Sequence, residues 1–180
     1  MLPVPRYLKA SQVRLDLVRG RLDGVDPLKD RGAELRRLKR EVVEELVDLF
    51  MGVHAGSDPA ATRPNIANRS KFAHDFHARE AKGSTAIAGG LAIPHVRTRQ
   101  ARLPTLVVAR SREGVWYDAP DGRPTRLFFG ISAPPWEEEW YGTFYRWIGQ
   151  AFRTHGDWLP DALLSAGTAD EMVGLLASAG

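Results

Sequence analysis

Apolar residues at Leu35, Leu38, Val42, Leu46 and Leu49 recur in steps of three and four, so the spacing predicts an amphipathic helix over 33–50. Its first half is basic (Arg36, Arg37, Lys39, Arg40) and its second half acidic (Glu41, Glu44, Glu45, Asp48). That order opposes the helix dipole, so packing of the apolar stripe has to outweigh it. Residues 12–17 alternate polar and apolar as a half-buried strand does, and 20–27 carry turn chemistry. The stretch 51–68 is rich in Gly, Pro, Ala, Asn and Thr and reads as a long exposed loop. A second helix is predicted over 70–82, with Ser70 as its cap, Phe72 and Phe76 on one face and Gly83 as its stop.

Residues 91–96 and 105–110 read as strands, and 114–122 as a turn-rich connection. A strand over 125–131 is apolar at Leu127, Phe128, Phe129 and Ile131, which predicts a central place in a sheet; Pro134-Pro135 ends it. Trp140, Phe144, Trp147, Ile148, Ala151 and Phe152 mark a helix over 137–153 with an acidic first turn. This aromatic stripe reads as core, with Trp136 and Trp140 at its start able to reach the surface. Thr168 with Glu171 three residues later is a capping box, opening a last helix through Met172, Leu175 and Leu176. Strands interleaved with helices predict an α/β fold, one domain over 1–180, its sheet covered by helices on both faces.

Composition narrows the classes. The length of 180 residues suffices for one full core, and 43% hydrophobic with 26% charged content is ordinary for a globular chain. Cysteine is absent, which excludes disulfides, thiolate catalysis and cysteine zinc sites. No N-terminal run has the form of a signal peptide and no stretch approaches a membrane span, so the expectation is a cytoplasmic protein. The net charge is +3 and the pI about 9.4. Basic residues gather in 31–40 and at Arg97, Arg99, Arg102, Arg110 and Arg112. Without a recognition motif or stacking platform they read as a solvated surface, and nucleic-acid binding is the weakest reading.

The chemistry concentrates in one segment. His95 follows Pro94 at the end of the apolar run Leu91-Ala92-Ile93, behind the turn Gly89-Gly90. Its chain is restrained, and an imidazole held so can act as nucleophile or proton carrier near neutral pH. Spacing alone leaves an inert, hydrogen-bonded histidine as the commoner outcome. Arg79, at the end of the second predicted helix, can bridge two phosphoryl oxygens; otherwise it is a surface cation paired with Glu80 or Asp75. Ser84 and Thr85 can offer hydroxyls or backbone N–H groups to a phosphate. His74 and His77 lie three apart but lack a third ligand at familiar spacing, so no metal site is expected. His54 and His155 read as solvated, and Asp118 and Asp121 as turn-forming. No nucleophile elbow, P-loop or dinucleotide fingerprint is present.

The run Arg79-Glu80-Ala81-Lys82-Gly83-Ser84-Thr85-Ala86-Ile87, followed by Gly89-Gly90-Leu91-Ala92-Ile93-Pro94-His95, resembles the signature of the enzyme IIA domain of the phosphoenolpyruvate-dependent sugar phosphotransferase system. The branch is the fructose/mannitol type, which includes the nitrogen-regulatory enzyme IIA. Asp118-Ala119-Pro120-Asp121-Gly122-Arg123-Pro124 and Leu127-Phe128-Phe129-Gly130-Ile131 are similar to the segment that follows in that family. The likeness runs from about Leu15 to Ala177. It implies a mixed parallel and antiparallel sheet flanked by helices. It implies that His95 accepts a phosphoryl group from a phosphorylated histidine-containing carrier protein, with Arg79 beside it. The group then passes to an enzyme IIB domain or serves as a regulatory signal, with no metal or nucleotide cofactor. Transporting members carry a second histidine near the start of the helix after the last central strand. In 136–141 this chain has Trp140 or Tyr141 in that place and no histidine, and the 51–68 loop is unusual for the family. The competing reading is a non-catalytic regulatory binding module on the same scaffold.

Overall fold

The structure, a computed structural model, describes residues 7–20, 31–54 and 63–179. Its described elements are the strands β1 (Val13–Arg14), β2 (Ala86–Ile87), β3 (Leu91–Ala92), β4 (His95–Arg97), β5 (Thr105–Val115) and β6 (Thr125–Ala133), and the helices α1 (Arg31–Met51), α2 (Arg69–Ala81), α3 (Glu138–His155), α4 (Trp158–Ser165) and α5 (Ala169–Ser178). The strands form one sheet in the order β1-β5-β6-β3-β2, with β4 also on β6. β5 and β6 are antiparallel, β1 runs parallel to β5, and β3 and β4 run parallel to β6. The fold is therefore α/β with a mixed sheet.

Strand periodicity explains the continuous apolar runs. Leu106 and Val108 of β5 and Leu127, Phe129, Ile131 and Ala133 of β6 face a core closed by α3, α4 and α5. Val107, Ala109 and Phe128 point the other way, into a core closed by α1 and α2. Gly130 leaves room between β5 and α1: a Cβ there would meet Val107 Cγ2 at 2.7 Å and Phe50 at 3.4 Å.

The predicted strand over 91–96 is two short strands in one register. Leu91 pairs with Leu127 and His95 with Ile131, the same offset, so β6 is lined by a single path interrupted at Ile93-Pro94. Pro94 has no N–H to give the ladder, though its carbonyl still accepts from the N–H of Ile131. β5 runs to Val115, five residues beyond the predicted end at 110, through an irregularity between Arg110 and Val115. Of 12–17 only Val13–Arg14 is strand, entered from a 3-10 turn at Ala10–Gln12. The cap of α2 is Asn68, whose side chain accepts from the N–H of Lys71; Ser70 lies inside the helix. Thr168 caps α5 as expected, accepting from the Glu171 N–H, while the Glu171 carboxylate reaches back to the Gly167 N–H. α4 was not expected: it is short, and Pro160 sits in its first turn, where a missing N–H costs nothing.

The far part of the 51–68 segment is not exposed loop. Asn65 and Ile66 are buried, Ile66 bridges Ala101, and the Asn65 amide donates to Thr105 Oγ1 at 2.6 Å. Residues 55–62 lie outside the described residues, as do most of the turn at 20–27 and residues 1–6. The acidic half of α1 also gains an explanation. Glu45 accepts from the N–H groups of Val18 and Arg19, Glu41 from that of Gly20, and Glu44 and Asp48 pair with Arg69. Those bonds, rather than the helix dipole, decide where the acids stand.

Arg110 corrects the reading of the basic cluster. It is fully buried, and its guanidinium donates to the carbonyls of Leu15, Leu163, Leu164 and Ala166. Three of those acceptors close the C-terminal end of α4, where helix carbonyls lack partners. Arg110 is a buried pin between β5 and α4. We expect Arg110→Met to lower unfolding free energy by about 3 kcal/mol, because carbonyls stay buried without a donor. Arg112→Ala, which removes only an exposed contact with Asp16, should change it by less than about 0.5 kcal/mol. Urea unfolding of both variants checks this; equal losses would mean that Arg110 is not a pin.

Candidate functional site

His95 opens β4 directly after the break in the β3–β4 path. The break leaves the Ile93 carbonyl free of the ladder, and the ring folds back so that Nδ1 lies 2.8 Å from Ile93 O. On the other side Arg79 Nε donates to Nε2 at 2.9 Å. A guanidinium can only donate, so Nε2 carries the lone pair and Nδ1 the proton. The tautomer is thus set by the two partners. Arg79 also donates to the Gly83 carbonyl through Nη1, at 3.2 Å. Neither acid once available to it takes it: Asp75 accepts from Thr98 Oγ1, and Glu80 faces inward.

Glu80, which the sequence marks only as a neighbour of Arg79 in the signature run, organises the site. Its carboxylate is buried, accepts from the Thr85 N–H at 3.1 Å and hydroxyl at 2.7 Å, and pairs with Lys39 Nζ at 3.0 Å. Thr85 O in turn accepts from the Ile93 N–H at 2.9 Å. A chain of bonds therefore runs from α1 through Glu80 and Thr85 to Ile93, whose carbonyl holds the ring. Lys39 also lies over the ring of Tyr117, whose hydroxyl burial pushes well above its usual range. A buried carboxylate costs several kcal/mol unless paired and hydrogen-bonded; here both conditions hold.

These bonds bear on Ser84 and Thr85. The one hydroxyl proton of Thr85 is given to Glu80, and that of Ser84 to the Tyr117 carbonyl at 2.7 Å. As folded, neither hydroxyl has a proton to spare for a phosphate. The turn they approach is shaped by glycine: Gly89 and Gly90 adopt φ of +84° and +75°. Asp121 accepts from the Gly89 N–H at 2.9 Å and the Arg123 N–H, which confirms the turn-forming reading of this acid.

α3 supplies the opposite wall. Tyr141 and Tyr145, one helical turn apart, set their rings 6.4 Å and 5.9 Å from that of His95, both edge-on. Trp140 faces away into the core against Tyr7 and Phe144, so only Trp136 of that pair is exposed. His77 pairs with Glu44, His74 is exposed, and no group of three or more His, Asp or Glu able to hold a metal occurs among the described residues. His54 is exposed, and His155 rests against Trp158. No helix among the described residues is long and apolar enough to cross a membrane.

The ring thus has one nitrogen fixed as donor and the other unprotonated, accepting from a guanidinium. Residues 38–178 match the family model of the phosphoenolpyruvate-dependent sugar phosphotransferase system, EIIA 2. The chain belongs to that enzyme IIA family. It is 36% identical over 134 residues to a nitrogen regulatory protein of Pseudomonas aeruginosa, covering 74% of this chain and 79% of that one. It is 41% identical over 96 residues, 53% of this chain, to a fructose-specific EIIA component of Haloferax volcanii. It is 34% identical over 95 residues to a fructose-specific EIIABC component of Bacillus subtilis. The chain spans 13% of the Bacillus subtilis protein and 56% of the Haloferax volcanii one. In fold it is similar to the nitrogen regulatory protein IIA-Ntr of Neisseria meningitidis, with TM-score 0.69, 24% identity, and 96% and 98% of the two chains covered. It is similar too to the mannitol enzyme IIA of Escherichia coli in its complex with phosphorylated enzyme IIB, with TM-score 0.62, 17% identity, and 95% and 97% covered. Membership gives the general role, that of a carrier or regulatory component in phosphotransferase chemistry.

Burial and the neighbouring Arg79 and Arg97 hold the His95 pKa below its ordinary 6.5, against the Ile93 carbonyl and the Glu80 charge, which raise it. The unfolded chain takes up the His95 proton first, so this contribution is complete above pH 6.5 and is lost as pH falls toward the lowered folded value. We expect an NMR titration midpoint for His95 below 6.5, moved lower still in Glu80→Gln, where a raising charge is gone. A midpoint at or above 6.5 in the native protein, or an upward move in the variant, would contradict the balance described.

Proposed function

We propose that His95 is the phosphorylated residue: Nε2 takes a phosphoryl group from a phosphorylated histidine-containing carrier protein and passes it to an enzyme IIB domain or holds it as a regulatory signal. The observation that carries this reading is the double fixing of the ring, Nδ1 on Ile93 O and Nε2 on Arg79 Nε. In the transfer, the donor's P–N bond breaks and its electron pair returns to the donor imidazole. The Nε2 lone pair forms the new P–N bond, and Nδ1 keeps its proton on Ile93 O. No proton moves, so no general base is needed. Arg79 gives up Nε2 as the phosphorus arrives and turns its N–H groups to the phosphoryl oxygens. It exchanges a neutral acceptor for a charged one, which is about twice as strong. The ring gains positive character on phosphorylation, which the Ile93 carbonyl and the negative charge of Glu80 favour. Catalysis of this kind is positioning with charge neutralisation.

Two observations favour the regulatory end of this range over sugar transport. The 136–141 stretch, where the family resemblance leads one to look for a second histidine, holds none, and Tyr141 of that stretch stands beside His95 with its hydroxyl donating to the Val96 carbonyl. A nitrogen regulatory protein is matched over 74% of this chain, against 53% for each of the two fructose-specific relatives.

Incubation with phosphoenolpyruvate, enzyme I and the carrier protein, read by intact mass, tests the proposal. One phosphoryl mass should be gained and located on His95. His95→Ala should gain none while its circular dichroism is unchanged, and Arg79→Ala should lose about 2–4 kcal/mol of transition-state stabilisation. A folded wild-type chain that gains no mass would instead favour the non-catalytic binding module. A wild-type rate in Arg79→Ala would remove Arg79 from the mechanism.

A further inference from the structure

A phosphoryl group on an imidazole carries about two negative charges near neutral pH, and Arg79 supplies one positive charge. The structure holds a second cation within reach. In β4 the side chains of His95 and Arg97 fall on the same face, two residues apart, while Val96 between them points into the core under α1 and α2. The Arg97 guanidinium rests on the face of Tyr141, Cζ lying 4.9 Å from the ring centroid. That same ring stands 6.4 Å from the ring of His95. Tyr141 is thus a platform shared by the imidazole and the guanidinium.

The present partner of Arg97 is weak. Its Nη1 lies 3.3 Å from Glu138 Oε1, and the two side chains are 52% and 73% exposed. An exposed pair of two long side chains contributes little and is readily exchanged. A phosphoryl dianion on the adjacent ring offers more charge and three acceptor oxygens. Resting on the phosphocarrier reading, we propose that Arg97 is a second catalytic cation, which leaves Glu138 and binds the phosphoryl group on His95 while Tyr141 guides its guanidinium. Glu138 is then a competitor that holds Arg97 back in the unphosphorylated protein.

The test uses the full chain and phosphoramidate, a small donor that needs no docking surface. Uptake on His95 is followed by intact mass at low ionic strength. Arg97→Gln should slow uptake about fivefold, and Glu138→Gln should speed it about twofold. The double variant should match Arg97→Gln alone, because Glu138 acts only through Arg97. Both residues are exposed, so circular dichroism should show wild-type folding in each variant. Wild-type uptake in Arg97→Gln would overturn the proposal. So would an acceleration by Glu138→Gln that persists without Arg97, which would mark a general effect of charge. If the wild-type chain itself takes up no phosphoryl group on His95, the phosphocarrier reading fails and the Arg97 proposal with it. Uptake by wild type with no effect of Arg97 overturns only the latter.

Discussion

The buried carboxylate of Glu80 is the constraint on which the site depends. It stands at the C-terminal end of α2, next to Arg79 in the chain, and binds both the N–H and the hydroxyl of Thr85 in the turn that leads to β2. One residue therefore ties the helix that carries the guanidinium to the hairpin that leads to the imidazole. Because the carboxylate is paired with Lys39 of α1, a third element is locked to the same point. A loose tether would leave the Arg79–His95 distance to two independent backbones. Errors near 1 Å in such pairs are costly in positioning chemistry.

The sheet does the complementary work. β3 and β4 keep one register on β6, so the break at Ile93-Pro94 does not displace the strand. It changes only which backbone groups remain free. Pro94 offers the ladder no donor, and the Ile93 carbonyl takes the Nδ1 proton of His95.

Much of this was legible in the chain. The helices over 33–50 and 137–153 are legible because many apolar residues vote together on one face; His95 and Arg79 stand out only through the resemblance of the runs around them, since spacing alone favours an inert histidine. What was hidden depended on partners far away in sequence. Arg110 reads as surface charge until its acceptors at Leu15, Leu163, Leu164 and Ala166 are seen. Ser84 and Thr85 read as phosphate donors because spacing cannot show that their hydroxyl protons are already given to Tyr117 and Glu80. The adjacency of an arginine and an acid gave no sign that one faces the ligand side and the other the core. Helical spacing separates Tyr141 and Tyr145 from Trp140, since residues four apart share a face and adjacent residues do not.

The electrostatics of the ring join these parts into one argument. Burial, Arg79 and Arg97 all disfavour a proton on His95, whereas Glu80 and the Ile93 carbonyl favour it. A site dominated by the second pair would hold an imidazolium, with no lone pair to attack phosphorus. A site with only the first set would hold a good nucleophile but oppose the positive character that the ring gains on forming the P–N bond. The balance found here keeps Nε2 unprotonated at rest. On the proposed reading, the same two cations that disfavour a proton are the ones that would meet the phosphoryl oxygens, so one arrangement of charge would suit both the empty and the loaded state.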